Sequence, residues 1–306
     1  MIIIGRLALA YRDFRHWWRF RKACFFNYVV NFEGQRFSYY CEKPNRYTSD
    51  KRPTVILLHG FLDRGFAFRH FLEPLKDRYK LIVIDLPGHG GSKLPPIRQL
   101  FTSQVMVRSL YRFIRSLCKE PVHLFTHSLG GLIGIQMQLY AQSIGNTTPF
   151  LSLCAIAPGA LLLPVEKINE LRSRFFPQTT NEVRQLLIEL QHGTEPEKMP
   201  NFLLDGLLYR WSRIGFRYLS QNAIERPTEV WLTPKQLKEC TLPITLVWGS
   251  KDNIVPIDQA KKLNTALKGS KLVIIENAGH ALLSENQTIR SELIRIFDSH
   301  IETSLS

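Results

Sequence analysis

Short apolar runs rich in β-branched residues recur along the chain at 55–58, 81–84, 122–125, 151–156, 244–248 and 272–275, with helical patterns between most of them. Each run is too short for a helix and continuous rather than alternating, the pattern of a strand buried on both faces. The helical patterns cover 66–76, 103–118, 129–142, 257–268 and 284–301. Strand and helix alternating in this way predict an α/β fold: a mostly parallel central sheet flanked by helices.

The spacing of the runs adds the domain plan. Successive starts lie 26, 41, 29, 93 and 28 residues apart, and one of these intervals is far too long for a single crossover. The long interval holds helical stretches at 167–176, 180–192 and 200–214, broken by Pro177, Gly193, Pro196 and Pro227, so 159–240 is expected to be a helical cap. Ahead of the first parallel strand, 28–32, the turn Glu33-Gly34-Gln35 and 36–41 read as a hairpin. The expected plan is an amino-terminal extension at 1–26, a core at 27–158 and 241–306, and the cap at 159–240.

The stretch VHLFTHSLGG at 122–131 runs from a predicted strand directly into a predicted helix. Its centre is one residue short of G-x-S-x-G, the mark of a strained strand-to-helix turn that lifts a serine hydroxyl clear of a sheet. Ser128 is the candidate nucleophile, with Thr126 standing where glycine is usual. A serine hydroxyl at neutral pH needs a base, and the base needs a group to orient it. Among nine histidines, His280 stands on a loop just past the last strand, and the acid candidate Asp252 stands at the end of the strand before it. A tetrahedral intermediate needs hydrogen-bond donors for its oxyanion. His59-Gly60-Phe61 follows the first parallel strand, so the N–H groups of Phe61 and Leu129 are the candidates, with His59 buttressing the loop. His127 reads as packed beneath the turn and His89 as a loop-shaping residue.

HGF at 59–61, DLPGHGGS at 85–92, THSLGG at 126–131, WGSKDN at 248–253 and AGH at 278–280 occur in that order. Together they resemble the α/β-hydrolase superfamily, in particular its capped serine esterases and lipases, including the monoacylglycerol-lipase-like group, over about residues 53 to 300. The resemblance implies the α/β-hydrolase fold with an inserted helical cap, a Ser128, Asp252, His280 triad in that chain order, and acyl-enzyme chemistry on carboxylic esters. It implies no metal or organic cofactor. Serine at 128 separates the chain from the epoxide hydrolases and haloalkane dehalogenases, which place aspartate there. A carbon-carbon bond hydrolase of the same fold remains open, although the loop after His59 lacks their S-G-P-G continuation. So does a non-catalytic ligand-sensing or interaction protein.

The cap carries more apolar side chains than a thin helical layer easily hides. Phe175, Phe176, Leu204 and Trp211 are the candidates to line an acyl pocket above Ser128, and the expected substrate is a small-molecule ester or lipid with an apolar acyl chain.

Charge adds a second theme. The 40 Lys and Arg against 26 Asp and Glu give +14, and the excess lies early: residues 1–52 carry +7 and 53–158 carry +6, whereas 159–240 carry +1 and 241–306 are neutral. No nucleic acid is expected, since no recognised binding motif accompanies the charge. Residues 1–26 hold six basic residues and one acid, Asp13, among many aromatics. On a helix Arg12, Arg15, Arg19 and Lys22 fall within about 80°, beside an arc of about 120° holding Tyr11, Phe14, Trp17, Trp18 and Phe25. Two placements follow: an interfacial helix on an anionic membrane, or a helix packed on the body with its arginines in water. Five scattered cysteines, none spaced as C-x-x-C, read as reduced thiols. The apolar opening at 2–10 is interrupted by Arg6 and makes a poor secretory signal. The expected location is cytoplasmic, peripheral to the inner face of a membrane if the helix docks.

Overall fold

In the computed structural model the six apolar runs become β3 (Thr54–Leu58), β4 (Lys80–Asp85), β5 (Val122–His127), β6 (Phe150–Ile156), β7 (Ile244–Gly249) and β8 (Lys271–Ile275). The hairpin supplies β1 (Phe25–Phe32) and β2 (Gln35–Glu42), turning at Glu33 and Gly34 with φ of 49° and 77°, the backbone a tight two-residue hairpin turn requires. The structure describes residues 2–43, 50–94, 102–146, 149–191, 198–212, 221 and 225–305. All eight strands join one sheet in the order β1-β2-β4-β3-β5-β6-β7-β8, antiparallel from β1 to β4 and parallel from there on. The expected fold class is the one observed. Every residue of β5 and β7 is buried, which explains why those runs do not alternate.

Both faces of the sheet are covered. On one lie α3 (Ser103–Leu117) and α4 (Leu129–Ser143), with Phe113 stacked on Phe37 at 4.1 Å between ring centres. On the other, the last helix (Gln287–Leu305) sets Phe297 against Phe125 at 4.5 Å. The pattern at 66–76 is not one helix but a 3₁₀ turn (Gly65–Phe68) and a single helical turn, α2 (Leu72–Leu75). The 3₁₀ turn is pinned to the end of β4, because Gly65 N–H donates to Asp85 Oδ1 at 2.7 Å.

Between β6 and β7 run α5 (Val165–Phe175), α6 (Thr180–Leu190) and α7 (Asn201–Trp211), then two short turns, α8 (Pro227–Val230) and α9 (Pro234–Lys238). The parts of the expected helices at 192 and 213–214 lie outside the described residues. The base of this insertion is closed by backbone bonds from Leu232 N to Ala160 O and from Leu162 N to Leu232 O. Val230, Leu232, Leu237 and Cys240 belong to the main core, whereas Val183, Leu186, Leu204, Leu207 and Trp211 form a second apolar cluster with Leu9 and Ile254.

The amino-terminal helix, α1 (Ile2–Lys22), ends earlier than the aromatic pattern suggests. Cys24, at φ 67°, reverses the chain, so that Phe25 leaves the helical arc and opens β1 fully buried. α1 packs on α7 with its backbone in contact: a Cβ at Gly5 would stand 2.0 Å from Phe202 O. Leu9 and Phe20 are buried on the same side. The opposite side leaves Ile4, Leu7, Tyr11, Phe14 and Trp18 exposed, spaced three and four residues apart in one stripe. Among the described residues no helix is long and apolar enough to cross a membrane. After β7 come α10 (Ile257–Ala266), then β8 and the closing helix, α11 (Gln287–Leu305), three residues later than the sequence pattern begins.

Candidate active site

β5 ends at His127, and Ser128 turns the chain into α4 with φ 50° and ψ −115°. That backbone costs about 1–3 kcal/mol in a residue with a side chain and persists only where neighbours fix it. Here Ser128 N–H donates to Ile156 O at 2.8 Å, tying the turn to the end of β6. The turn is also crowded. A Cβ at Gly130 would lie 2.4 Å from Leu58 O, and one at Gly60 would lie 2.8 Å from His127 Nδ1. Thr126, in place of the usual glycine, faces Gly131, where a Cβ would stand 2.7 Å from Pro158 Cβ and 3.3 Å from Thr126 Oγ1.

The three residues singled out as nucleophile, base and acid meet at this turn. Ser128 Oγ lies 3.0 Å from His280 Nε2, and His280 Nδ1 lies 2.8 Å from Asp252 Oδ2. Asp252 has its second oxygen committed as well, since Oδ1 accepts from the N–H groups of Ile254 (2.9 Å) and Val255 (2.8 Å). That leaves Oδ2 to accept the hydrogen bond donated by the Nδ1–H of the imidazole, so that Nε2 is the acceptor facing Ser128. The side chains of Asp252 and His280 are 0% and 3% exposed, so this geometry is held out of water.

The histidine loop is fixed from both sides. Gly279 N–H donates to Glu285 Oε1 at 3.1 Å, and His127 Nε2 donates to His280 O at 2.9 Å. Burial pushes His127 down to about 4, so it is neutral at physiological pH and works as a hydrogen-bond donor, not a charge. Ala281 N–H reaches Leu190 O at the end of α6, which joins the loop to the helical insertion.

His59 does buttress its loop, and the bonds are specific. Its Nε2 accepts from Leu86 N–H at 2.9 Å, so Nδ1 carries the proton and donates to Gly60 O at 2.7 Å. A trans peptide directs its C=O and the following N–H to opposite sides. With Gly60 O held by His59, the N–H of Phe61 is turned the other way. Leu129 N–H, at the first position of α4, has no helical acceptor to satisfy it. Burial lowers His59 to about 4 and His89 to about 3, keeping both neutral. Asp85 Oδ2 accepts from Gly91 N–H at 2.8 Å, which organises the 85–92 loop beneath.

Of the four residues named for an acyl pocket, Phe175 packs its ring edge-on to Phe61 at 5.7 Å and adjoins the second apolar cluster, in which Leu204 and Trp211 are buried. Trp211 Nε1 also donates to Leu62 O at 3.2 Å. Phe176 caps the end of α5 outside that cluster. A cleft of about 440 Å³ runs beside the Asp252 loop between Leu161, Leu171, Trp231 and Val255, and none of the four lines it. The sequence offers no motif for Glu285, whose carboxylate holds the histidine loop.

The arrangement sets the Ser128 hydroxyl in line with a buried imidazole and carboxylate at the end of β5. The alpha/beta hydrolase fold description matches residues 53–287. The chain is 25% identical over 270 residues to monoacylglycerol lipase abhd6-B of Xenopus laevis, covering 82% of this chain and 77% of that one. It is 26% identical over 256 residues to the uncharacterized hydrolase YugF of Bacillus subtilis, covering 82% and 92%. Among solved structures it resembles a membrane phospholipase A described as a bacterial virulence factor, at a TM-score of 0.77 and 21% identity over 99% of this chain and 93% of that one. The chain belongs to the alpha/beta hydrolase fold family.

Proposed function

We propose that this protein is a serine hydrolase that cleaves carboxylic esters bearing apolar acyl chains. The observation that carries the reading is the hydrogen-bonded line Ser128 Oγ, His280 Nε2, His280 Nδ1, Asp252 Oδ2 at the strained turn. Ser128 Oγ attacks the ester carbonyl while His280 Nε2 takes its proton, and Asp252 stabilises the imidazolium that forms. The carbonyl oxygen becomes an oxyanion, met by the N–H groups of Phe61 and Leu129. The intermediate collapses, the alcohol leaves with the proton from His280, and the acyl group stays on Ser128. Water, deprotonated by His280, then releases the acid and restores the serine.

Lipase and phospholipase names among the similar proteins support an ester of lipid type. Phe175 against Phe61, with Leu204 and Trp211 in the cluster behind, supports an acyl site beneath the helical cap at 159–240. Phe176 stands at its margin. The exposed stripe of α1, opposite its packed face and flanked by Arg15, Arg19, Arg21 and Lys22, supports docking on an anionic membrane surface and so a peripheral position at the inner face of a membrane.

The test is turnover on p-nitrophenyl esters of graded length together with labelling by a fluorophosphonate probe. The reading predicts covalent label on Ser128 and kcat/KM rising from acetate to medium chains, since each buried methylene contributes up to ~0.8 kcal/mol. Equal or better hydrolysis of acetate overturns the apolar acyl preference. Absence of label on Ser128 overturns the mechanism.

A further inference from the structure

We propose that Asp13, in the amino-terminal helix, is a positioning residue for the loop that carries the Phe61 N–H; this rests on the reading of that N–H as an oxyanion donor. The loop needs such a holder. Leu62, directly after Phe61, has φ 62°, a left-handed backbone that a bulky apolar residue keeps only when its surroundings impose it.

Two of the contacts that fix it come from other parts of the chain. Trp211 Nε1 donates to Leu62 O at 3.2 Å, and Arg64 Nη1 pairs with Asp13 Oδ2 at 3.0 Å. The same Asp13 oxygen accepts from Arg210 Nη2 at 2.8 Å, one residue before Trp211 in α7. One carboxylate thus clasps the loop and the cap helix together. Its setting is firm, because α1 and α7 meet backbone to backbone: a Cβ at Gly206 would lie 2.7 Å from Gly5 O.

The ion-paired side chains are only 18% to 28% exposed, so water and salt screen them less than a free surface pair. Burial pulls the Arg210 guanidinium down from its ordinary pKa, and Asp13 beside it opposes that shift. With Asp13 neutral, two guanidinium groups that now share an oxygen would face each other without a counter-charge. Arg64 would then move, and the loop with it. A misplaced oxyanion donor is felt where the oxyanion exists, in the transition state, so the loss falls on kcat rather than on KM. The helix proposed to rest on a bilayer is therefore the helix that sets the loop.

The experiment compares the full-length wild type with Asp13→Asn, Asp13→Glu and Arg64→Gln on p-nitrophenyl butyrate. Active sites are counted by fluorophosphonate labelling and thermal unfolding is followed in parallel. Asp13→Asn is expected to lower kcat per labelled site by about 10- to 100-fold with KM within about threefold. Arg64→Gln, which cuts only the loop's arm and leaves Asp13 paired with Arg210, is expected to do the same. Asp13→Glu is expected to recover most of the rate. Wild-type kcat per labelled site in both Asp13→Asn and Arg64→Gln, whatever their melting temperatures, overturns the inference, as does a change confined to KM. A wild type inactive on every ester overturns the hydrolase reading and this inference with it; an active wild type beside unimpaired variants overturns this inference alone.

Discussion

His59 Nδ1 and Gly60 O stand 2.7 Å apart, a bond between a side chain and the carbonyl of the next residue that sets which way the Gly60–Phe61 peptide faces. Without it the peptide is free to turn its carbonyl toward Ser128, where it would repel an oxyanion. His59→Phe keeps a ring in the cavity and removes both hydrogen bonds. It is expected to lower kcat on the best ester by about 10²-fold with little change in KM. An unchanged kcat in a folded His59→Phe protein would show that the peptide is oriented by other means.

The buried histidines carry a pH dependence whose sign follows from their environment. His59, His123, His127 and His300 are lowered from 6.5 to about 4 by burial, and His89 to about 3. They are neutral in the folded chain but take up protons in the unfolded chain below about 6.5. The unfolded state therefore binds more protons between about 6.5 and 4, so stability is fully present above that window and falls as pH drops through it. Urea unfolding at pH 7.5 and at pH 5 should show a clearly lower midpoint at pH 5. Equal midpoints would contradict the burial of these rings.

Membrane docking is testable without disturbing the fold, because the exposed stripe and the packed face of α1 are opposite each other. Removing residues 1–26 would also remove Leu9, Phe20 and Phe25 from the apolar clusters, so substitution of the stripe is the cleaner route. Full-length protein should co-sediment with anionic vesicles at low salt, and Leu7→Ser/Phe14→Ser/Trp18→Ser should not. With six basic residues against one acid in the helix, the electrostatic part is bounded at roughly 5 kcal/mol, and it should weaken as salt shortens the Debye length from ~10 Å at 0.1 M to ~3 Å at 1 M. Equal pelleting of both proteins, or of neither, would leave α1 as a strut only. A wild type that instead elutes as a stripe-dependent dimer would assign that face to a second copy of the chain.

Much of this was legible in the chain because burial on both faces writes itself as continuous apolar runs. All six such runs became parallel strands, and the Glu33-Gly34 turn fixed the hairpin. The pairing of Ser128, Asp252 and His280 was legible through position, each lying past the end of one of the parallel strands of the sheet. The interruption of the 66–76 helix was not, since it depends on the Asp85 carboxylate reaching Gly65 N–H from another strand. Nor was the role of Asp13. Its partners Arg64 and Arg210 lie 51 and 197 residues away, and only the packing of α1 on α7 brings the three together. The left-handed Leu62 was equally silent, because leucine carries no sequence signal for that backbone.

The most direct measurement of the central claim is steady-state turnover on the best p-nitrophenyl ester for wild type, Ser128→Ala, His280→Ala, Asp252→Asn and the Ser128→Ala/His280→Ala pair. Each single change is predicted to lower kcat by on the order of 10³-fold or more, with the pair no worse than Ser128→Ala alone, because the three act as one unit. A folded Ser128→Ala protein that keeps most of its activity would contradict the account.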